Sequence, residues 1–296
     1  MKVAVVGTGR MGSAMARAIA RGDDELLLYN RTPDKARPLA DELGATMVDS
    51  PAEAAGSADV CITMLADGAA VASVWDGGDG LASNAREGSV LVDMSTVPPD
   101  TLHPYAARVQ ERGAGLLDAP VSGSTQLAES GSLTIMAGGE AQDLERARPV
   151  LERLAKTVHH VGPLGSGSAM KLAVNAVIFA LNNAVSEALV IAERAGIQRE
   201  LAYEIIATSA AGAPFVGYKR QAFVEPEAAP VGFSLDLAAK DLALIIAFAD
   251  RLGVPAAQAA ANATLIGEAA AQVGADRDFA QVATHLRALA GEGRPS

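Results

Sequence analysis

The sequence predicts a doubly wound, mostly parallel α/β half followed by an all-helical half that opens with a long helix. Three observations predict this. Through roughly the first 160 residues, short β-branched runs alternate with longer Ala-rich stretches, the rhythm of parallel strands linked by crossover helices. After Val161 the run Gly162-Pro163-Leu164-Gly165-Ser166-Gly167 punctuates the chain, and strand-like runs then stop. The length, 296 residues, suits two domains at the usual ~100 to 200 residues each. The expected domains are residues 1–162 and 163–296.

Seven segments are expected as strands: Lys2 to Val6, Glu25 to Tyr29, Val60 to Met64, Ser89 to Asp93, Gly115 to Asp118, Leu133 to Ala137 and Thr157 to Val161. Several are apolar throughout instead of alternating, which suits a parallel strand covered on both faces. A long helix is expected over about Ser168 to Ala195, where apolar residues recur at helical spacing and Gly196 supplies a stop. Further helices are expected near Glu200 to Ala210, Leu235 to Leu252, Pro255 to Val273 and Phe279 to Ala290.

Composition narrows the function classes. With 50% hydrophobic and 20% charged residues the chain can bury a large core, so global disorder is excluded. A net charge of −11 without a clustered basic face argues against nucleic acid and anionic membrane as partners. The single cysteine, Cys61, forms no internal disulfide and suits a reducing, cytoplasmic setting. Gly7, Gly9 and Arg10 interrupt the N-terminal apolar run, which reads as strand and turn, not as a signal peptide. The uncharged runs Leu172 to Ser186 and Gly253 to Gly267, about 15 residues each, fall short of the ~18 to 20 a bilayer requires, so no membrane span is expected. His159-His160 lacks companions at ligand spacing, and no metal site is expected. Cys61 and Trp75 read as core, and Lys219-Arg220 as solvated surface.

Gly7-Thr8-Gly9-Arg10-Met11-Gly12 lies between the first strand and a helix, the context that gives a Gly-x-Gly-x-x-Gly run its meaning. Gly7 permits the tight turn, Gly9 lets backbone approach a pyrophosphate, and Gly12 allows close helix packing. At the end of the second strand, where an NAD-preferring chain places Asp or Glu, stands Asn30-Arg31-Thr32. Nothing acidic there repels a 2′-phosphate. Arg31 can pair with it, Asn30 and Thr32 add donors, and NADP(H) is therefore expected over NAD(H).

Two more segments carry chemistry. One is Asp118-Ala119-Pro120-Val121-Ser122-Gly123-Ser124, after a strand; the other is Lys171 with Asn175 on the long helix, four apart and on one face among Ala, Val and Leu. Desolvation favours the neutral form of an amine, and such a lysine exchanges a proton with an alcohol oxygen near neutral pH. A snorkelling surface lysine is the alternative on these residues alone.

With these segments the chain resembles the β-hydroxyacid dehydrogenases. The resemblance rests on Gly7 to Gly12, Met64-Leu65, Asp93-Met94-Ser95-Thr96, Asp118 to Gly123, Ser132 to Gly139, Gly165-Ser166-Gly167 with Lys171 and Asn175, and Lys240-Asp241-Leu242. It implies an N-terminal Rossmann domain, a long connecting helix, a helical C-terminal domain and assembly as a homodimer or homotetramer. It further implies Lys171 as the catalytic lysine, and Ser122 with the Gly123 backbone as the anchor for a substrate carboxylate. Asn175 holds substrate and orients the lysine, Met64, Leu65 and Thr96 lie around the ribose and nicotinamide, and Lys240 reaches in from the C-terminal domain. Small aldehyde- or keto-carboxylates, or the corresponding 3-hydroxy acids, are the implied substrates. The chain departs from the family pattern at Ser124, commonly glycine, and Ala66, often proline. The alternatives are an imine reductase of this architecture, against which Lys171 argues, and a non-catalytic NADP-binding scaffold, against which Lys171 and the −11 charge both argue.

Overall fold

The computed structural model describes residues 1–291. It divides into two compact units, Met1–Lys171 and Leu172–Ser296.

The first unit is built on a nine-stranded sheet. In chain order its strands are β1 (Lys2–Val6), β2 (Glu25–Tyr29), β3 (Thr46–Met47), β4 (Val60–Thr63), β5 (Val90–Asp93), β6 (Gly115–Asp118), β7 (Val121–Ser122), β8 (Leu133–Gly139) and β9 (Ala155–Gly162). Their order is β3-β2-β1-β4-β5-β6-β8-β7, with β9 also paired to β8. Pairing is parallel from β3 through β6 and between β8 and β9, and antiparallel where β8 meets β6 and β7. The sequence of β1 shows how it is covered: Val3 and Val5 enter a core with Met15, Ile19 and Leu144, while Ala4 and Val6 enter another with Cys61, Trp75 and Leu91. Successive residues of a strand face opposite ways, so apolar residues throughout mean helices on both faces. Strands β4, β5 and β6 are buried along their whole length for the same reason.

Each expected strand is present, with ends differing by a residue or two. Strands β3 and β7 were not expected, because two residues carry no periodicity to read. His159 and His160 lie exposed on β9, and no metal-binding group of His, Cys, Asp or Glu occurs among the described residues.

The helix Ser166–Arg194 begins before the end of the first unit, and in the second unit it is followed by Arg199–Thr208, Pro214–Tyr218, Arg220–Val224, Leu235–Arg251, Ala257–Val273 and Val282–Leu289. Its core gathers Phe179, Leu189, Tyr203, Phe215, Phe223, Leu242, Ile266 and Phe279. The structure adds two short helices here and corrects one sequence expectation. The two five-residue helices between 214 and 224 carry no pattern to read, since one turn each is too short for one. Lys219, expected on the solvated surface, is only 9% exposed: its Nζ donates at 2.7 Å to both carboxylate oxygens of Asp278 and lies 4.5 Å above the Phe279 ring. A lysine this dry requires a partner, and Asp278 stands 59 residues away in sequence, beyond any local pattern. The long helix, present where it was expected, runs 29 residues with a mean hydropathy of 1.6 over its most apolar window, long and apolar enough to cross a membrane. Its buried face is that of a core helix: Asn182 donates to the Phe279 carbonyl at 3.0 Å and Asn183 to Asn262 at 3.1 Å.

Candidate active site

In the first unit the glycine loop follows β1 directly. Gly7 has φ +98°, which other residues rarely adopt, and its N–H donates to the Tyr29 carbonyl at 2.8 Å. A Cβ at Gly12 would lie 1.9 Å from the Gly7 carbonyl oxygen, so only glycine lets the helix Arg10–Ile19 start this close to the strand. A Cβ at Gly9 would meet nothing within 4 Å, and the helix N-terminus has no side-chain cap. Thr8 Oγ1 is buried without a hydrogen-bond partner. Open space over Gly9, an uncapped helix start and an orphaned hydroxyl fit a pyrophosphate, because they supply donors where a phosphate needs them. Arg10 is exposed and Met11 half-buried on the first turn.

Asn30 ties the loops together. Its Oδ1 accepts from Thr8 N–H at 3.3 Å and its Nδ2 donates to the Thr32 carbonyl at 2.8 Å, so both ends of the amide hold backbone. Arg31 and Thr32 are exposed just beyond β2.

The loops after β4 and β5 are joined by a buried chain. Thr63 Oγ1 and Ser95 Oγ both donate to Asp93 Oδ1, at 2.5 and 2.7 Å, and the Leu65 N–H donates to Ser95 Oγ at 2.9 Å. Burial pushes the Asp93 carboxyl up to about 6, with the hydroxyl donors opposing the shift. Met64 and Leu65 abut the glycine loop: a Cβ at Gly7 would lie 2.5 Å from the Met64 carbonyl and 2.9 Å from Leu65 Cδ2. Thr96, half-buried, follows Ser95.

Strand β6 ends in Asp118, whose neighbour across the sheet is Asp93. Asp118 Oδ1 accepts from Gly165 N–H at 2.8 Å and Oδ2 from Ser168 N–H at 2.6 Å. Its carboxyl is raised by burial, against the pull of these N–H groups. The chain then turns through Ala119 and Pro120 into β7, where Ser122 pairs with Thr134. Gly123 has φ +143°, and a Cβ there would strike Leu133 Cδ2 at 2.7 Å, so this position is glycine for two reasons. Ser124 caps the short helix Thr125–Glu129, its Oγ accepting from Leu127 N–H at 3.3 Å. Its hydroxyl is spent on local structure. Lys171, half-buried, lies one turn beyond Ser168 on the long helix.

In the second unit, Asn175 is 6% exposed and its Nδ2 donates to Asp241 Oδ2 at 2.8 Å. Lys240 Nζ lies 2.9 Å from Asp241 Oδ1. Asp241 therefore holds both the asparagine and the lysine that the sequence singles out.

Sequence reasoning missed what joins these residues. Asp93, Asp118 and Asp241 fell inside motifs but received no role, since the partners that tie each to another segment lie 30 to 66 residues away. An acidic residue ending an apolar strand was the available signal, at Asp93 and Asp118.

Comparison with known proteins decides the family. Residues 2–162 match the NAD binding domain of 6-phosphogluconate dehydrogenase, and residues 165–286 match the NAD-binding domain of NADP-dependent 3-hydroxyisobutyrate dehydrogenase. The chain belongs to the β-hydroxyacid dehydrogenase family. It is 31% identical to the 3-sulfolactaldehyde reductase of Escherichia coli over 98% of its own length and 97% of the relative's. Identity to glyoxylate/succinic semialdehyde reductase 2 of Arabidopsis thaliana is 30%, over 97% and 80%. A solved 3-hydroxyisobutyrate dehydrogenase from Mycobacterium tuberculosis superposes with a TM-score of 0.83 at 30% identity, covering 97% of this chain and 99% of that one. This β-hydroxyacid dehydrogenase family member is thus an NAD(P)-dependent oxidoreductase, an N-terminal Rossmann-like domain followed by a helical one.

Proposed function

We propose that the protein is an NADPH-dependent reductase of small aldehyde- or keto-carboxylates, working reversibly as a 3-hydroxyacid dehydrogenase. The observation that carries this reading is Lys171 with Asn175 on one helix whose first turn is held by the strand that leads to Ser122 and Gly123. Preference for NADPH is supported by exposed Arg31 in a loop without a carboxylate between Asn30 and Thr32. When bound, the nicotinamide cofactor supplies the hydride.

The chain's own residues do the rest. Ser122 Oγ and the Gly123 N–H hold the substrate carboxylate and fix the carbonyl carbon, which is the positioning part of the catalysis. Lys171 Nζ donates its proton to the carbonyl oxygen as negative charge develops there, and takes it back in the reverse direction. Asn175, held by Asp241, hydrogen-bonds the substrate and keeps the lysine aimed. Lys240 adds positive charge beside an anionic substrate. Gly7, Gly9, Arg10, Met11 and Gly12 receive the pyrophosphate, and Met64, Leu65 and Thr96 line the nicotinamide ribose. A homodimer or homotetramer is the proposed assembly, and a cytoplasmic setting fits the single buried thiol of Cys61.

The test is NADPH and NADH oxidation with two- to four-carbon aldehyde and keto acids, beside Lys171→Ala and Arg31→Ala. A carboxylated aldehyde should consume NADPH preferentially. Lys171→Ala should cut kcat ~10²-fold or more while cofactor still binds, and Arg31→Ala should narrow the NADPH/NADH ratio at least tenfold. Silence of the whole panel would defeat the substrate class, and full activity of Lys171→Ala would defeat the lysine's role.

A further inference from the structure

We propose that Asp118 is the positioning residue for this reaction: by holding the first turn of the long helix against the end of β6, it sets where Lys171 reaches. The inference rests on the reading of Lys171 given above.

The opening N–H groups of any helix need acceptors from outside it. A local serine or aspartate commonly supplies one, and Ser166 and Ser168 stand at this very start. Yet the Gly165 and Ser168 N–H groups are taken by the two oxygens of Asp118, 47 and 50 residues earlier in the chain. The difference is mechanical. A local cap stabilises a helix wherever it lies, whereas a cap from a central strand of the sheet also dictates its place. The arrangement costs desolvation of a carboxylate that is only 2% exposed, a cost that helix formation alone does not require.

The seat has no slack. A Cβ at Gly167 would lie 2.2 Å from the Met136 carbonyl and 2.6 Å from that of Asp118. A Cβ at Gly138 would lie 2.4 Å from Asp118 Oδ1 and 2.8 Å from Gly167 N. His103 adds a contact from Nε2 to the Leu164 carbonyl at 3.2 Å. Two glycines are thus required for the helix to approach the sheet closely enough to meet the carboxylate. Four residues past Asp118 the same segment presents Ser122, and one turn past Ser168 the helix presents Lys171. One side chain therefore sets the register between the group proposed to hold the substrate carboxylate and the group proposed to protonate its carbonyl. An error of about 1 Å in such a register costs ~10²-fold in rate.

The experiment compares Asp118→Ala, Asp118→Asn, Gly167→Ala, Lys171→Ala and the double variant Asp118→Ala/Lys171→Ala in the full chain. It measures NADPH affinity by fluorescence titration and kcat with the best aldehyde acid of the panel. Asp118→Ala should keep NADPH affinity within about twofold and lose kcat by ~10- to 100-fold. Asp118→Asn, which retains one acceptor, should lose less, and Gly167→Ala, which keeps the charge but lifts the helix, should behave like Asp118→Ala. In the double variant kcat should be no lower than in Lys171→Ala alone, because a residue that acts through the lysine has nothing left to position. Losses that multiply overturn the inference, as does an unchanged kcat, or NADPH affinity falling by the same factor as kcat. If Asp118→Ala does not fold, the Asn and Gly167 variants decide on the same criteria. Wild-type activity in Lys171→Ala overturns the reading beneath the inference and the inference with it. A dead Lys171→Ala beside a fully active Asp118→Ala overturns the inference alone.

Discussion

Gly12 and Gly7 show how much a single atom decides. With the Gly7 carbonyl 1.9 Å from where a Cβ at Gly12 would lie, Gly12→Ala forces the helix start away from β1. Displaced N–H groups no longer converge on a phosphate, so NADPH affinity should fall at least tenfold by fluorescence titration. Ser95 works at the same scale by a different route. Its hydroxyl accepts from the Leu65 N–H and donates to Asp93, and Ser95→Ala leaves that N–H short of an acceptor. A lost buried hydrogen bond costs ~1 to 3 kcal/mol. The KM for NADPH should therefore rise about tenfold with kcat moved less; an unchanged KM would separate the Leu65 loop from cofactor binding.

Among elements, the helices of the second unit are held by buried polar pairs as well as by apolar packing. Asp278 accepts from Lys219, from the N–H groups of Gly232 at 2.9 Å and Phe233 at 3.2 Å, and from Ala280 N–H at 3.0 Å. One carboxylate so joins the helix pair around residue 219, the segment entering the helix Leu235–Arg251, and the 3₁₀ turn Phe279–Gln281. Lys219→Met leaves that carboxylate buried and without its cation, a loss of about 3 kcal/mol by chemical denaturation. Adding Asp278→Asn should restore part of the loss, because it removes the stranded charge; additive losses from the two changes would refute the pairing.

Stability of the whole molecule should carry the mark of two acids at the carboxyl end of the sheet. Asp93, whose pKa is about 6 in the fold against ~3.9 for an unfolded aspartate, binds a proton more tightly when folded. Its contribution is therefore fully present below pH ~4 and lost as pH rises through 6, amounting to about 3 kcal/mol. Asp118 is shifted in the same direction by its own burial. Exposed carboxylates such as Glu42 and Glu145, lowered by Arg17 and Arg148, slope the other way but are well screened by water. Comparison with Asp93→Asn isolates the buried acid: the variant should gain stability relative to wild type between pH 4 and pH 7. A pH-independent difference would show that Asp93 ionises normally.

Much of this was legible in the chain as written. Periodicity is a local property, so the seven longer strands, the long helix and the change of class after Val161 could be read from it, and β3, β7 and the one-turn helices could not. The tight glycine turn was legible for a related reason: Gly7, Gly9 and Gly12 carry their meaning in spacing to near neighbours, and the same kind of spacing is what singles out Lys171 and Asn175 for the proposed role. Partnership across the sequence has no such signature. That Asp118 caps a helix begun some 50 residues later, that Asp241 holds Asn175, and that Lys219 is a buried cation on Asp278 follow from which segments the fold packs together. Element type and the glycine turn could be read along the chain because both are set within a few residues; what holds the buried acids and Lys219 in place came from the fold, because a buried charge takes its partner from whatever is packed within about 3 Å of it.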